Sequence, residues 1–482
     1  MKVVLACQNL IFRQLFSFCH TSLFFIFFIF NSSVLYNSTN IDAVAKISFL
    51  INLLCLFWGG WKIFFEKHLS IMDSVFVTFF YAFFWLAPII QLNQGSFPYY
   101  SESDPLLIAT TNAIMILFFI SYFGSKSLFK KRIHSLIHKM GGQDESVDKN
   151  DGIILVIYII VSTVIAFLFS KALLSYLYSG VGIIPSDAEG QIIRKFIFYI
   201  PTFPLYYLML KERQKGNSKI FFLLLLFYSL FLFFLFKNPL NEKRNAIGPL
   251  YLSVLSIFLF YKGKVTNRLY IGSLLLVFIL AFPVISSVTH SKISVYETVP
   301  ALTNRILDNQ IQTSLTTGDF DSWSMMLAVN AYCKENGFSY GKQLLGNILF
   351  FVPRKYWPSK SYGSGHYIVE NYLSKNYSWY FTNVSCPFPG EGYINFGILG
   401  TFLFGIVLGI LGLYTDHYLF SSNLLKRLFA HFVPFSTVML LRGDLNSGFA
   451  YLITPLLAIY YIPRFFRYSL SKLANITALK KR

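Results

Sequence analysis

The sequence predicts an all-α membrane protein with about twelve transmembrane helices and one large helical loop outside the cytoplasm. Of its 482 residues, 55% are hydrophobic, 19% are aromatic and only 13% are charged, which is the composition of a polytopic membrane protein. Apolar runs near the ~20 residues that cross a bilayer recur along the chain. Only one connection between them is long, so the chain divides into residues 1–290 with nine spans, the loop 291–392, and residues 393–482 with three spans and a basic tail.

The spans follow from the apolar runs in chain order. They are predicted at residues 15–35, 47–65, 71–91, 105–124, 152–176, 195–210, 219–236, 246–261, 269–287, 393–414, 428–441 and 449–463. The sixth, eighth and eleventh runs are short, so tilt or a merged pair changes the count by about one.

The distribution of basic residues predicts that both termini lie in the cytoplasm. In this orientation the cytoplasmic segments hold 25 of the 41 Lys and Arg residues, the short external loops hold 8, and the long loop holds the other 8. Basic residues concentrate in short cytoplasmic loops, whereas long loops carry little orienting information. The net charge of +19 therefore reflects topology and attraction to anionic headgroups, and nucleic-acid binding does not follow from it.

The long loop contains a predicted amphipathic helix. Leu344, Leu345, Ile348, Leu349 and Val352 keep the spacing of one helix face. Such a helix could lie on the membrane surface and carry a basic residue at its end. Two weaker helical patterns cover residues 320–336 and 366–375.

Charged residues at the outer ends of spans are the candidates for a functional site, because charge near hydrocarbon costs roughly 2.5 to 3.5 kcal/mol on the insertion scale. Several guanidiniums that face one cavity suit a diphosphate, since Arg binds phosphate oxygens bidentately and stays charged. Each Arg taken alone could equally be an anchor that reaches the interface. Four places qualify: Glu242-Lys243-Arg244, Arg354, Glu391, and Arg442 with Asp444.

Glu391 is the candidate general base. Gly390 and Gly392 flank it and permit close approach of the backbone, and its position just before the tenth span can bring a carboxylate to a hydroxyl that must lose its proton. The alternative is a structural salt bridge with Arg354 or Arg244. The sequence leaves both readings open.

Other loop residues give weaker signals. Asp319 and Asp321 match the Asp-X-Asp pattern of metal-dependent sugar-nucleotide enzymes, but nucleotide sugars are made in the cytoplasm, so a helix cap is preferred. No metal or other cofactor is predicted. Cys333 and Cys386 could form a disulfide in an oxidising compartment. His366 has no paired Ser or Cys motif of a hydrolase.

The second half of the chain resembles the Wzy-type O-antigen polymerases. The resemblance lies in the order of four features: Glu-Lys-Arg at 242–244, Gly-Asn-Ile-Leu-Phe-Phe-Val-Pro-Arg-Lys-Tyr-Trp-Pro-Ser-Lys at 346–360, Pro-Gly-Glu-Gly-Tyr-Ile-Asn-Phe-Gly at 389–397, and Arg-Gly-Asp at 442–444. These enzymes join oligosaccharide repeat units at the bacterial inner membrane. Their span layout is similar to that of other lipid-sugar glycosyltransferases of GT-C type.

The resemblance implies a reaction at the periplasmic face of the inner membrane. A growing glycan on undecaprenyl diphosphate would be the donor, a lipid-linked repeat unit the acceptor, and a chain-length regulator a possible partner. Glu391 would accept the hydroxyl proton, while Arg354 and Arg244 would stabilise the leaving diphosphate in place of a metal ion. The remaining expected substrate-binding residues are Arg442, Asp444, Lys243, Arg305, His366, Trp357 and Asn395.

Two other functions remain open. An O-antigen ligase would use the same donor with lipid A core as acceptor, and sequence barely separates it from a polymerase. A lipid-linked oligosaccharide flippase would more naturally place charges and helix breaks at mid-bilayer and lack a large outer loop.

Overall fold

A computed structural model describes residues 22, 25–66, 68–140, 151–179, 193–211, 219–239, 242, 244–261, 266–281, 315–378 and 381–480. It is all-helical, and no strand occurs in these ranges. The helices are α1 Phe25–Tyr36, α2 Ala43–Phe65, α3 Ile71–Tyr81, α4 Ala87–Gln94, α5 Pro105–Met140, α6 Asp151–Leu168, α7 Ser170–Ser179, α8 Thr202–Leu210, α9 Lys219–Phe236, α10 Arg244–Tyr261, α11 Asn267–Leu276, α12 Ser322–Asn336, α13 Lys342–Ile348, α14 Ser364–Ile368, α15 Ser374–Tyr377, α16 Phe388–Leu419, α17 Leu424–Arg442, α18 Leu445–Leu456 and α19 Ile462–Lys480.

Within the described ranges, eight helical segments are long and apolar enough to cross a membrane. They are Ala43–Phe65, Ile71–Gln94, Pro105–Ile137, Asp151–Leu168, Lys219–Phe236, Phe388–Leu419, Leu424–Arg442 and Leu445–Lys472, and the shorter apolar helices Phe25–Tyr36, Ala246–Phe260 and Asn267–Ile279 accompany them. The predicted class, a helical membrane protein, is confirmed. The number of twelve spans stays a prediction.

The sixth predicted span, residues 195–210, is not one continuous helix. A 3-10 turn, Ile197–Tyr199, precedes the nine-residue helix α8. Pro201 and Pro204 account for the interruption, because proline supplies no backbone N–H to a preceding turn. The helix is nonetheless almost wholly buried among its neighbours.

Hydrogen bonds between helix ends show which ends lie on the same side of the protein. The loop side, on which residues 315–378 lie, contains the bonds Asn40 to Asn93, Gln91 to Phe320 and Arg442 to Gly318. The opposite side contains the bonds Ser70 to Asp416, Asn267 to His68, Arg427 to Leu210 and Arg467 to Asp151. This is the alternation that the order of the apolar runs predicts. That the loop side faces away from the cytoplasm stays a prediction.

A buried ionic cluster ties three spans together on the opposite side. Lys126 of α5 lies 2.6 Å from Asp73 of α3 and 2.5 Å from Asp416 of α16. Tyr122 donates to Asp73, and Ser70 donates to Asp416. Because each carboxylate is paired and also accepts a hydroxyl, the cluster meets the main requirement for burying charge in a low-dielectric interior.

The loop helices differ in detail from those predicted. The helix over residues 320–336 is confirmed as α12, whereas the amphipathic helix runs from Lys342 to Ile348 and ends six residues before Arg354. Its apolar side chains do not all face inward, since Leu345 and Ile348 are exposed while Gln343 and Asn347 are buried.

Candidate functional site

A break in the long helix α16 positions Glu391. Phe396 and Gly397 leave helical geometry, and Gly397 adopts a positive φ of 61° that glycine tolerates without strain. A Cβ added to Gly400 would lie 1.9 Å from the carbonyl oxygen of Gly392. Eight residues of straight helix would separate these two by about 12 Å. Residues 388–395, the re-entrant helix, therefore fold back against the start of the span.

Glu391 lies at the meeting point of three segments and is 0% exposed. Its Oε2 atom accepts hydrogen bonds from Ser364 Oγ at 2.6 Å and from Asn347 Nδ2 at 3.1 Å. Its Oε1 atom accepts from the backbone N–H of Leu445, the first residue of α18, at 3.0 Å. The loop, the re-entrant helix and α18 are thus held together by one carboxylate.

A second buried carboxylate, Asp444, belongs to the same group. Its Oδ1 atom caps α18 by accepting from the N–H of Asn446 at 2.8 Å, and its Oδ2 atom accepts from the N–H of Gly365 at 3.2 Å. Burial raises the pKa of Asp444, and the backbone donors, Gly365 first, partly oppose this rise. A Cβ on Gly363 would lie 2.1 Å from Asp444 Oδ2, so a side chain at this position would displace the Asp444 carboxylate.

Asn395 completes the group, which we call the carboxylate cluster: Glu391, Asp444, Asn347, Ser364 and Asn395. Asn395 donates to the carbonyl of Glu391 at 2.8 Å and accepts from the N–H of Leu344 at 3.1 Å. The Oδ1 atom of Asn347 is buried and accepts no hydrogen bond. Once the site opens, this amide oxygen and the two carboxylates can accept hydrogen bonds from substrate hydroxyl groups, and a carboxylate can accept a proton.

Arg354 lies near this cluster but does not pair with Glu391. Its guanidinium donates to the backbone carbonyls of Lys360 and Ser361 and stacks over the Tyr362 ring at 3.8 Å. The same ring stacks on His366 at 4.3 Å. Since Tyr362 comes two residues before Ser364, this stack brings both predicted residues beside the carboxylate cluster.

Arg442 lies two residues before Asp444 and is bound to a different acidic pair. It donates to the carbonyl of Gly318 at 2.9 Å and lies 3.7 Å from Asp319 and 3.8 Å from Asp321. Burial raises the pKa of Asp321, and the guanidinium of Arg442 opposes this rise. The charge of Arg442 is therefore largely balanced within the protein, which leaves less of it for a ligand.

Asp321 occupies the predicted position at the start of a helix, but the predicted capping role of its side chain is wrong. Asp321 does precede α12, but its side chain caps no N–H of that helix. It accepts instead from the N–H of Ser385 at 3.0 Å. The carboxylate lies near Arg442 and the segment before the re-entrant helix instead of the helix end. Neither partner is close to Asp321 in sequence, so the sequence did not indicate them.

Several predicted residues lie away from the cluster or outside the described ranges. Trp357 is half-buried and donates to Ser359 at 3.2 Å. Lys243, Arg305 and the side chain of Arg244 fall outside the described ranges. Cys333 and Cys386 are buried free thiols, so the disulfide considered from the sequence is not formed; burial raises the pKa of the Cys333 thiol to about 12.

Basic residues that the sequence did not single out gather near α18. Lys237 is buried, donates to the carbonyl of Arg194 at 3.2 Å and lies 3.9 Å from Glu242. Lys195 lies 5.2 Å from the ring of Tyr451. Tyr451 follows Leu445 by six residues, or about 9 Å along the helix. Glu242 and the carboxylate cluster thus both lie near helix α18.

The comparisons identify no relative. Family models, curated proteins and solved structures give no match to this chain. Within the described ranges, no three His, Cys, Asp or Glu side chains gather as a set of metal ligands.

Proposed function

We propose that this protein joins undecaprenyl-diphosphate-linked oligosaccharide repeat units into a surface polysaccharide at the outer face of the inner membrane. One observation carries the proposal. Three of the runs that resemble O-antigen polymerases, 346–360, 389–397 and 442–444, meet at one site, because Glu391 contacts Asn347 and also Leu445, the residue directly after the third run. These runs are up to about a hundred residues apart in the sequence. Their convergence on the carboxylates of Glu391 and Asp444 supports a shared role in one reaction.

The proposed reaction transfers the growing glycan to a new repeat unit. A nonreducing-end hydroxyl of the acceptor attacks the anomeric carbon of the donor, a glycosidic bond forms, and the bond to the lipid diphosphate breaks with its electron pair. Glu391 takes the hydroxyl proton. Arg354 and the cations near α18 offset the charge on the departing diphosphate.

The burial of Glu391 sets a condition on this reaction. Its three hydrogen bonds come from neutral donors of the protein itself, and it has no exposed surface. An acceptor hydroxyl reaches the carboxylate only if residues 339–365 move away from the re-entrant helix. In the described state Glu391 holds the site together, and the open state would free it to act on substrate.

The test is deletion of the gene followed by gel analysis of the surface glycan. Loss of a polymerase leaves core that bears one repeat unit, and this is the expected result. Loss of a ligase leaves core with none. Loss of a flippase leaves the lipid-linked unit on the cytoplasmic side. Either of the last two patterns contradicts the proposal.

We expect Arg354→Lys to lower polymer formation by on the order of tenfold or more, because a bidentate contact requires the planar guanidinium fork and not only positive charge. In the protein the fork also bridges two carbonyls, which an ammonium group cannot do in the same geometry. Polymer amount at matched expression is the measurement.

Lys355→Ala is the matched control, since Lys355 is the adjacent exposed cation and should tolerate the change. Equal polymer from Arg354→Lys and the wild type would identify Arg354 as a surface anchor.

A further inference from the structure

We propose that residues 340–356, which we call the surface segment, rest on the headgroup layer of the membrane crossed by the spans of this chain. This inference does not depend on the polymerase assignment. It starts from helix α13, whose polarity is inverted. Gln343 and Asn347 are each 1% exposed, whereas Leu345 is 52% and Ile348 46% exposed. A helix that faces water has the opposite arrangement.

The exposed apolar side chains continue beyond the helix and are accompanied by basic ones. Tyr340, Phe351 and Tyr356 are each at least two-thirds exposed. Residues 339–364 contain Lys342, Arg354, Lys355 and Lys360 and no Asp or Glu. Exposed aromatic and aliphatic groups beside Lys and Arg are typical of segments that lie in the interface of an anionic membrane. This composition fits the headgroups of anionic lipids.

The location of the segment supports the same partner. A Cβ added to Gly341 would lie 3.1 Å from the ring of Phe396, which is itself exposed at the break in α16. Immediately after the break, Ile398 and Leu399 are exposed on the outside of a helix apolar enough to span the membrane. The surface segment thus lies beside the break in α16 and continues the lipid-facing surface of this span.

The buried side of the same helix connects the membrane surface to the carboxylate cluster. Asn347 donates to Glu391 from a position between the exposed residues Leu345 and Ile348. Movement of the surface segment toward or away from the headgroups would move the amide that holds Glu391. The cluster is therefore placed at the depth of the headgroups, under a helix that contacts lipid on its other face.

The test uses spin labels on single introduced cysteines in the full chain, reconstituted in bilayer discs of phosphatidylethanolamine and phosphatidylglycerol. Cys7, Cys19 and Cys55 are replaced by Ser, while the buried Cys333 and Cys386 stay in place. Leu345→Cys and Ile348→Cys report on the surface segment. Both positions are exposed, so a label needs no repacking. Asn376→Cys, exposed on α15 of the same loop, is the matched control.

We expect labels at 345 and 348 to collide severalfold more with oxygen, which concentrates in lipid, than with a water-soluble nickel chelate, relative to the label at 376. Collision with the nickel chelate as frequent as at 376 would overturn the proposal, because the segment would then face water. Protection from both reagents would overturn it as well, because a protein surface would then cover the segment.

Discussion

Glu391→Gln should reduce polymer formation by on the order of a hundredfold or more, the usual loss when a general base is removed. Part of the effect is structural. Both oxygens of Glu391 accept hydrogen bonds, so an amide must turn its NH₂ group toward a donor, either the N–H of Leu445 or the side chains of Ser364 and Asn347. A buried donor left without an acceptor costs about 1–3 kcal/mol.

Removing the partners of Glu391 separates its two contributions. Asn347→Ala and Ser364→Ala each remove one donor and leave the carboxylate in place. If Glu391 only positions the loop, these variants should lose about as much polymer as Glu391→Gln. If Glu391 also takes the proton, they should lose far less. Glu370→Gln, which alters an exposed carboxylate paired with His366, should behave as the wild type at matched membrane levels.

Lys126→Met should destabilise the protein by about 3–5 kcal/mol, the cost of removing one partner from a buried ionic group. The buried Asp73 of α3 and the partly exposed Asp416 of α16 would then lack the cation of α5 that now links their spans. Thermal unfolding of the purified protein is the measurement. Replacing all three with uncharged residues, Lys126→Met with Asp73→Asn and Asp416→Asn, should recover much of the loss, because no uncompensated charge remains.

Lys130→Met is the control, since Lys130 is an exposed cation one turn further along the same helix. Equal unfolding temperatures for Lys126→Met and Lys130→Met would show that the spans are not joined by this cluster.

The spans could be predicted from sequence because lipid imposes a direct requirement, a continuous apolar run of sufficient length. Residues 105–124 and 393–414 illustrate this, since both fall within long apolar helices. Hydropathy does not register the break within the run 195–210, where Pro201 and Pro204 interrupt the backbone hydrogen bonds.

The site was only partly predictable. Glu391 and Asp444 stand out because charge at the end of a span is rare. Asn347 and Ser364 are uncharged and come from 44 and 27 residues before Glu391, so their roles depend on how the loop folds. One signal was available: Gln343 and Asn347 are four residues apart and share a helix face. Their polarity could have indicated that this face, and not the leucine face, packs inward.

The most direct measurement of the central claim is product length from the purified protein in bilayer discs, given a lipid-linked repeat unit and a metal chelator. The account predicts a ladder of products with two or more units, formed without added divalent cation, because arginine and lysine side chains offset the diphosphate charge. Asp319→Asn should leave the ladder intact. A single-unit product under all conditions, with transfer of that unit to lipid A core when core is supplied, would contradict the account.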